Sequence, residues 1–316
     1  MWPSPVKALA LGARDRRFES CHPDKMKKLL SMPMIGLGTW LIPNDDAERV
    51  STDALNLGYR HIDTAQIYQN EAGVGNALVS SSIAREDIFI TTKMWPGMYG
   101  DDSFQTFSGA IEACEQSLKL LQLNEIDLYL IHNPFATNSR VELWEAMVEL
   151  KKQGKVKHIG VSNYNVKHIK EIEDAQLEMP VANQIEIHPY HMIPDALEVY
   201  MNNHNILPIA YSTLAPLPNW REGSRWNSKP EAMKNDPSIP FLEVAEKYNV
   251  TVAQLLLKWS IQLGYPVLPK SVNYERLKEN LNLNFTIAAE DMNHLSVSNK
   301  AQSLAWQEKF DPLDVD

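Results

Sequence analysis

Short apolar runs alternate with longer amphipathic segments along this chain from residue 32 onward. The amphipathic segments carry apolar side chains at steps of three and four, the spacing of an α-helix. They are represented by Phe104, Phe107, Ile111, Cys114, Leu118 and Leu121, by Leu143, Met147 and Leu150 before Gly154, and by Leu255, Leu256 and Trp259 before Gly264. The apolar runs predict eight strands, at residues 35–39, 61–64, 88–93, 128–132, 158–162, 182–186, 207–212 and 267–271.

Eight successive strand-then-helix units predict a single α/β domain, a parallel (β/α)₈ TIM barrel. A doubly wound sheet is the competing fold, but Gly36-Leu37-Gly38 lacks the third glycine of the turn that usually accompanies it. The stretch between Ser212 and Val267 is too long for a simple connection. Its opening part, rich in Pro, Asn and Trp, predicts a long loop after strand 7 over the C-terminal rim, and two helices then follow.

The composition narrows the class of protein. Of 316 residues, 44% are hydrophobic and 22% are charged, so a sizeable core can form. The net charge of -10 opposes contact with nucleic acid and with anionic membranes, and it favours a small-molecule site. No apolar run approaches the ~18 residues that span a bilayer. Two distant cysteines, Cys21 and Cys114, form neither a disulfide framework nor a metal motif, which favours a cytoplasmic protein.

The first 31 residues differ from the rest, because they are basic and show little periodicity. Asp15, Glu19 and Asp24 argue against a transit peptide, since such peptides contain few acidic residues. We therefore expect residues 1–31 to form a flexible or irregular arm and residues 32–316 to form the barrel.

Polar residues stand at the end of nearly every predicted strand. They are Asp63, Lys93, His132, Ser162, Asn163, Gln184, Glu186, Tyr211, Ser212, Lys270 and Ser271. Taken singly, each could be a helix cap, a solvated surface residue or a hydrogen-bonded core residue. The C-terminal ends of barrel strands meet on one rim, however, and active sites of this fold lie there.

Tyr68 completes a chemical unit with three of these residues. A phenol with its ordinary pKa of about 10 is a poor acid or base at neutral pH. A nearby ammonium, which Lys93 can supply, would lower that pKa, and Asp63 can neutralise the lysine. His132 can then donate a hydrogen bond to a carbonyl oxygen. These residues predict a proton donor for a carbonyl, with no metal.

Other aromatic and histidine residues are less specific. His188 and His191 are three residues apart, but Pro189 makes a helical metal-binding pair unfavourable and no third ligand is evident. Trp220 and Trp226 lie in the predicted long loop. They could contact cofactor or substrate, or they could pack the loop against the barrel.

Seven stretches of the chain, in order between residues 32 and about 283, resemble the aldo-keto reductase superfamily. They are GYRHIDTAQIYQNE, REDIFITTKMW, IDLYLIH, GKVKHIGVSNY, NQIEIHPY, PIAYS and PKSVNYERLKEN. The resemblance implies NADP(H)-dependent reduction of aldehydes and ketones by a monomer. It places the catalytic tetrad on Asp63, Tyr68, Lys93 and His132, with Tyr68 as the general acid. A regulatory subunit that binds the cofactor on the same scaffold is the alternative.

The resemblance also implies a set of cofactor-binding residues. Ser162, Asn163 and Gln184 would hold the nicotinamide carboxamide, and Tyr211 would stack on the ring. The full set is Gly38, Thr39, Trp40, Asp63, Ser162, Asn163, Gln184, Tyr211, Ser212, Leu214, Lys270, Ser271, Val272, Arg276, Glu279 and Asn280.

The adenosine end of the cofactor can also be argued from the residues. Asn273 can cap a helix after the last predicted strand. The helix N-terminus, Lys270 and Arg276 together form an anion site. The resemblance assigns this site to the 2′-phosphate and assigns Glu279 and Asn280 to adenine. Arg276 therefore favours NADPH over NADH.

Trp40, Tyr68, Trp95, His132 and Asn133 are the expected substrate-binding residues. The resemblance predicts tryptophan where this chain has Asn133, so the pocket should be partly polar. Alternatively, Asn133 points away and only caps the turn at Pro134. The C-terminal segment is short, and we expect it to leave the mouth of the pocket open.

Overall fold

The structure is a computed structural model that describes residues 30–97, 106–217, 219–221, 224, 240–296, 303–306 and 311–315. Within these ranges a parallel sheet of seven strands follows the order of the chain. The strands are β1 Leu37–Gly38, β2 His61–Asp63, β3 Phe89–Met94, β4 Ile126–Ile131, β5 Val156–Ser162, β6 Ala182–Glu186 and β7 Leu207–Tyr211. The predicted strands and their parallel order are confirmed for these seven.

Helices alternate with the strands on the outside of the sheet. They are α1 Asn44–Leu57, α2 Glu71–Ser80, α3 Phe107–Leu121, α4 Arg140–Lys152, α5 Val166–Asp174, α6 Asp195–Asn203, α7 Pro240–Lys247, α8 Val252–Gln262, α9 Tyr274–Leu281 and α10 Ala289–Ser296. Gly154 and Gly264 follow α4 and α8 with φ of 72° and 93°, as expected of glycines that end helices. None of these helices combines the length and apolar character that a membrane crossing requires.

The eighth strand predicted at residues 267–271 is replaced by a single β-bridge residue. Val267 pairs with both Ile35 and Ala210, and it thereby joins the two edges of the sheet. Its amide donates to Met34 O at 2.9 Å, and its carbonyl accepts from Gly36 N at 2.9 Å. Pro266 and Pro269 lack an amide hydrogen, so each contributes only a carbonyl acceptor, to Ala210 N at 2.8 Å and to Gly38 N at 3.0 Å, and the pairing beside Val267 is irregular. The barrel is closed, but with less regular pairing than the sequence predicts.

Alternation of side chains across each strand separates two apolar clusters. In β4, Leu128 and Leu130 belong to an inner cluster inside the barrel, whereas Tyr129 and Ile131 belong to the outer cluster beneath the helices. Burial of apolar surface on both faces of the strands is the main stabilising contribution to such a barrel. The alternation also fixes which strand-end residues point into the barrel mouth.

The N-terminal end of the barrel is covered by Leu30 and Met32, which are buried with the inner cluster. A small cavity of about 240 Å³ lies at this end, near Asp127 and Lys157. It lies opposite the polar strand ends. Residues 1–29 and much of the predicted long loop lie outside the described ranges, so the arm and the extent of the loop stay predictions.

Candidate active site

The inward-facing side chain at the C-terminal end of each central strand is polar. In a strand every second side chain faces the same side of the sheet. Phe89 points into the barrel, so Lys93 on the same strand also points inward, and Leu130 points inward, so His132 does too. Asp63 ends β2 in the same way, and Gln184 lies on β6 beside Ser162 of β5. Strand register therefore brings these distant residues to one rim.

Asp63, Lys93 and Tyr68 form a buried hydrogen-bonded group. Lys93 Nζ donates to Asp63 Oδ1 at 2.5 Å, to Thr64 O at 2.8 Å and to the Tyr68 hydroxyl at 3.4 Å. Gln184 Nε2 donates to the second carboxylate oxygen of Asp63 at 2.7 Å. Burial alone would lower the pKa of Lys93, but the charges of Asp63 and Tyr68 together raise it above its ordinary value. The lysine is therefore charged at neutral pH.

The pKa of Tyr68 differs from the expectation that Lys93 lowers it. Burial raises this pKa above 10, and Lys93 opposes the shift without cancelling it. The phenol therefore keeps its proton at neutral pH, as a proton donor must. Lys93 still stabilises the phenolate that forms when the proton leaves, because its ammonium contacts the same oxygen.

His132 and two tryptophans surround the phenol. The ring centroids of Tyr68 and His132 are 5.5 Å apart, those of Tyr68 and Trp40 are 4.7 Å apart, and those of His132 and Trp95 are 5.2 Å apart. Burial first, and the charge of Lys93 second, hold the pKa of His132 well below 6.5. The imidazole is therefore neutral at neutral pH and can donate one hydrogen bond.

Amide and hydroxyl groups on β5, β6 and β7 are joined in a network beside this group. Asn163 Nδ2 donates to His132 O and to Ser162 Oγ, each at 3.0 Å. The Tyr211 hydroxyl donates to Asn163 Oδ1 at 2.7 Å. Asn163 and Ser212 adopt φ of 64° and 54°, in the left-handed region that is costly for residues other than glycine. Such backbone strain is common at functional sites.

The N-terminus of α9 forms the other end of the site. Asn273 caps the helix by accepting from the Arg276 amide at 3.0 Å, as predicted. Lys270 and Arg276 add two positive charges there. Amide groups, helix dipole and cations together suit a phosphate group. Asn280 is buried, and Glu279 accepts from Thr251 Oγ1 at 2.7 Å.

A continuous cavity of about 1380 Å³ connects Tyr68 and His132 with the N-terminus of α9. It is large enough for a dinucleotide together with a small substrate. Predicted site residues that line it are Gly38, Trp40, Asp63, Tyr68, Trp95, His132, Ser162, Asn163, Gln184, Tyr211, Ser212, Leu214, Lys270, Ser271, Val272, Arg276, Glu279 and Asn280. Its hydrogen-bonding groups at one end and its cations at the other fit the nicotinamide and phosphate ends of NADP(H).

Three predicted residues are not among those that line the cavity. Lys93 is fully buried behind Tyr68, and Thr39 donates its hydroxyl to Asp63 O at 3.0 Å. Asn133 is fully buried, and its Oδ1 accepts from the Phe135 amide at 2.9 Å. The structure thus favours the alternative in which Asn133 caps the turn at Pro134.

The C-terminal segment contributes a wall that the sequence did not predict. Glu186 at the end of β6 accepts hydrogen bonds from Ser303 Oγ and from the amides of Leu304 and Ala305, at 2.7, 2.7 and 3.0 Å. Trp306 then donates its indole N–H to the Tyr211 hydroxyl at 2.7 Å. Ala305 and Trp306 line the cavity, so even this short segment partly covers its mouth.

Several further lining residues were also missed. They are Leu41, Ile67, Gln69, Thr213, Leu217, Asn219, Arg221, Ser224, Thr251, Val252, Ala253, Leu268, Pro269 and Asn273, the last predicted only as a cap. Thr251 and Gln254 form a capping box at the start of α8. That motif is visible in the sequence and could have placed a helix N-terminus here. Trp220 also lines the cavity, whereas Trp226 lies outside the described ranges.

Comparison with known proteins agrees with this geometry. The family model for the aldo/keto reductase family matches residues 34–300. Methylglyoxal reductase DkgA of Salmonella typhimurium is 40% identical over 79% of this chain and 82% of its own length. Glyoxal reductase of Bacillus subtilis is 36% identical over 87% of this chain and 92% of its own. A mutant of Gox0644 solved in complex with NADPH superposes with a TM-score of 0.73, at 38% identity over 90% of this chain and 95% of that one. The chain belongs to the aldo/keto reductase family.

Proposed function

We propose that this protein reduces small, reactive aldehydes and ketones with NADPH, with Tyr68 as the proton donor. The reaction class and the cofactor, reduction of a carbonyl to an alcohol with NADP(H), follow from family membership and from the relatives named above. The contact between Lys93 Nζ and the Tyr68 hydroxyl is the observation that carries the assignment of the proton donor.

Each residue of the site has a definite part in this proposal. NADPH supplies the hydride when it is bound. The neutral His132 orients the carbonyl oxygen toward Tyr68, and Tyr68 gives that oxygen its proton. Lys93 stabilises the resulting phenolate, and Asp63 keeps the lysine charged and in place. Trp40 and Trp95 supply apolar walls that limit water around the carbonyl.

The relatives suggest the kind of substrate. DkgA and the Bacillus enzyme are named for methylglyoxal and glyoxal, two small dicarbonyl compounds. We propose the same substrate class for this chain. A cavity end lined by Trp40, Trp95 and His132 suits a compact carbonyl, because close contact positions it against Tyr68.

The test follows NADPH consumption at saturating cofactor with methylglyoxal, glyoxal and an aromatic aldehyde. Steady turnover with wild-type protein, together with tight NADPH binding but no turnover in Tyr68→Phe, supports the proposal. Tight NADPH binding with no turnover of any carbonyl by the wild type would instead support the regulatory-subunit alternative, which none of the relatives named above supports.

We also propose that the protein acts as a monomer in the cytoplasm, without nucleic acid or membrane partners. The net charge of -10 supports the absence of such partners. Light scattering of the purified protein, with and without NADPH, would test the oligomeric state.

A further inference from the structure

Arg221 is a cation in the cavity wall that lies outside the tetrad and outside the predicted cofactor set. It lines the same cavity as Tyr68 and Trp220. Its guanidinium carbon lies 4.2 Å from the centroid of the Trp220 ring, so the group stacks on that aromatic surface. Its φ of 52° is in the left-handed region, which costs free energy for a residue with a side chain.

The charged residues of the cavity lie at its two ends. Lys270 and Arg276 lie at the α9 end, where a phosphate fits. At the Tyr68 end, the charge of Asp63 is matched by Lys93. Burial lowers the pKa of Arg221, and the charge of Glu186, whose carboxylate accepts hydrogen bonds from His188 and from the C-terminal segment, opposes this shift. Burial raises the pKa of Tyr68, Lys93 opposes this, and the charge of Arg221 opposes it further, which places the guanidinium in the electrostatic surroundings of the phenol.

We propose that Arg221 binds a carboxylate of the substrate, so that carbonyl compounds bearing a carboxylate group are a preferred substrate class of this enzyme. The inference rests on the proposed reductase function and adds a specificity-determining residue to it. A guanidinium binds a carboxylate through the N–H groups on its edge, whereas it stacks on an aromatic ring through its face. The contact with Trp220 is therefore compatible with the proposed one, and it restricts the orientation of the group.

The net charge of the protein affects how strongly an anionic substrate would depend on Arg221. With a net charge of -10, the protein repels anionic substrates from most of its surface. A cation inside a cavity walled by Trp220 and Trp306 acts with little screening, so one arginine can reverse that repulsion locally. The diphosphate of the cofactor is the other possible anion for Arg221, and the experiment separates the two.

The experiment compares 4-carboxybenzaldehyde with 4-nitrobenzaldehyde, a neutral aldehyde of nearly the same shape. For Arg221→Met at saturating NADPH, we expect the ratio of kcat/KM for the carboxylate over the nitro compound to fall about 10- to 150-fold. Most of the fall should appear in KM for the carboxylate. Arg221→Lys should recover part of the ratio, because it keeps the charge but loses the planar fork. Arg49→Met, an exposed arginine on α1 that does not line the cavity, is the matched control and should leave the ratio unchanged.

Three outcomes would overturn the inference. An equal loss of kcat/KM for both aldehydes means that Arg221 does not bind the carboxylate. A tenfold or greater weakening of NADPH binding by Arg221→Met, with an unchanged aldehyde ratio, means that it holds the cofactor instead. If Arg221→Met does not fold, Arg221→Lys decides, and an unchanged ratio of the two aldehydes in that variant contradicts the inference. Failure of the wild type to reduce 4-nitrobenzaldehyde would count against the proposed function itself.

Discussion

Two opposing effects set the pKa of Tyr68. Burial favours the neutral phenol and raises its pKa, while the ammonium of Lys93 favours the phenolate. The balance leaves a protonated group whose conjugate base is already stabilised at 3.4 Å by a charged donor. A residue of this kind can donate one proton. It can release that proton when a stronger base, such as a carbonyl oxygen that gains negative charge, comes within reach.

Tyr68→Phe should therefore remove turnover while the cofactor still binds. The change deletes one hydroxyl and keeps the ring against Trp40. Loss of a general acid typically lowers the rate by about 10²- to 10⁴-fold. The oxidation of NADPH measures the turnover rate, and the quenching of tryptophan fluorescence measures the affinity for NADPH. Retention of more than about a tenth of wild-type kcat would exclude Tyr68 as the proton donor.

Arg276→Met should separate the two nicotinamide cofactors. If Arg276 makes a charge-assisted contact with the 2′-phosphate, its loss should weaken NADPH binding about tenfold or more, equivalent to ~1.5–3 kcal/mol. NADH lacks that phosphate, so its Kd should change little. Titration with both dinucleotides gives the two values, and Lys278→Met, on the exposed surface of α9, is the control. An equal effect on both cofactors would assign Arg276 a structural role.

Much of the site could be predicted at this scale because its residues end strands. Asp63, Lys93 and His132 follow from the register of apolar runs, and their meeting point follows from the barrel. The sign of the pKa shift of Tyr68 could not be predicted, because it depends on how completely the phenol is buried. The orientation of Asn133 could not be predicted for a similar reason. Its direction is decided by the turn at Pro134, where the Phe135 amide needs an acceptor.

The element that most changes the cavity is the C-terminal segment. Burial alone would raise the pKa of Glu186, but hydrogen bonds and positive charge, chiefly from His188, lower it to about 2. The carboxylate is therefore charged at neutral pH and can hold the segment at residues 303–305. Farther along, Asn165 Nδ2 donates to Leu313 O at 3.0 Å and to Val315 O at 3.2 Å. The segment is thus attached at two places, with Trp306 next to the first.

Glu186→Gln should loosen this attachment. A carboxamide offers one acceptor oxygen where the carboxylate offers two, and it carries no charge. Charge-assisted hydrogen bonds contribute about 1.5–3 kcal/mol each, so we expect a measurable release of Trp306. KM for aromatic aldehydes should rise about 3- to 10-fold with a smaller change in kcat, because Tyr68 is untouched.

Limited proteolysis provides the second measurement for Glu186→Gln, since a released segment is cut sooner. Glu173→Gln, an exposed carboxylate on α5, is the matched control. If KM and the rate of cleavage both equal those of the wild type, Glu186 does not anchor the segment.

The elements themselves were predictable to different degrees. Strands β2 to β7 and helices α4 and α8 follow from periodicity and from glycine stops, because local burial decides them. The eighth strand was predicted from an apolar run, but Pro266 and Pro269 donate no hydrogen bond, so the regular strand is reduced to a β-bridge at Val267. The attachment of residues 303–306 could not be predicted, since Glu186 and Ser303 are 117 residues apart and no periodic pattern marks the contact.

At the scale of the molecule, several neutral histidines are enclosed in the fold. Burial, as the largest cause, lowers the pKa of His61 to about 3 and that of His168 to about 4, and it holds the pKa of His132 well below 6.5. In the unfolded chain these groups take up protons near pH 6.5, whereas in the folded protein they do not. The unfolded state therefore binds more protons below pH 6.5, and stability falls as the pH falls.

The free energy of unfolding should thus be greatest above about pH 7 and should decrease toward pH 5. For His61 the expected loss of unfolding free energy at pH 5 is about 2 kcal/mol. The reason is that pH 5 lies roughly 1.5 units below the pKa of a histidine in the unfolded chain but still above the pKa of about 3 in the folded protein. Urea denaturation at pH 7.5, 6 and 5 measures the decrease. His61→Asn should make it smaller, and His294→Gln, an exposed histidine, should not. The prediction fails if His61→Asn and the wild type lose stability in parallel.

Closure of the barrel by Val267 has a consequence for how the protein is made. The four groups proposed for catalysis lie between Asp63 and His132, in the first half of the chain. The bridge that joins Ile35, next to β1, to β7 forms only after residue 267 has been synthesised, and the end of the cavity at residues 270–280 follows it. A ribosome therefore releases the reactive residues long before the walls that enclose them. During that interval the nascent chain holds exposed sheet edges and an unfinished pocket, which chaperones can recognise and which cofactor cannot yet stabilise.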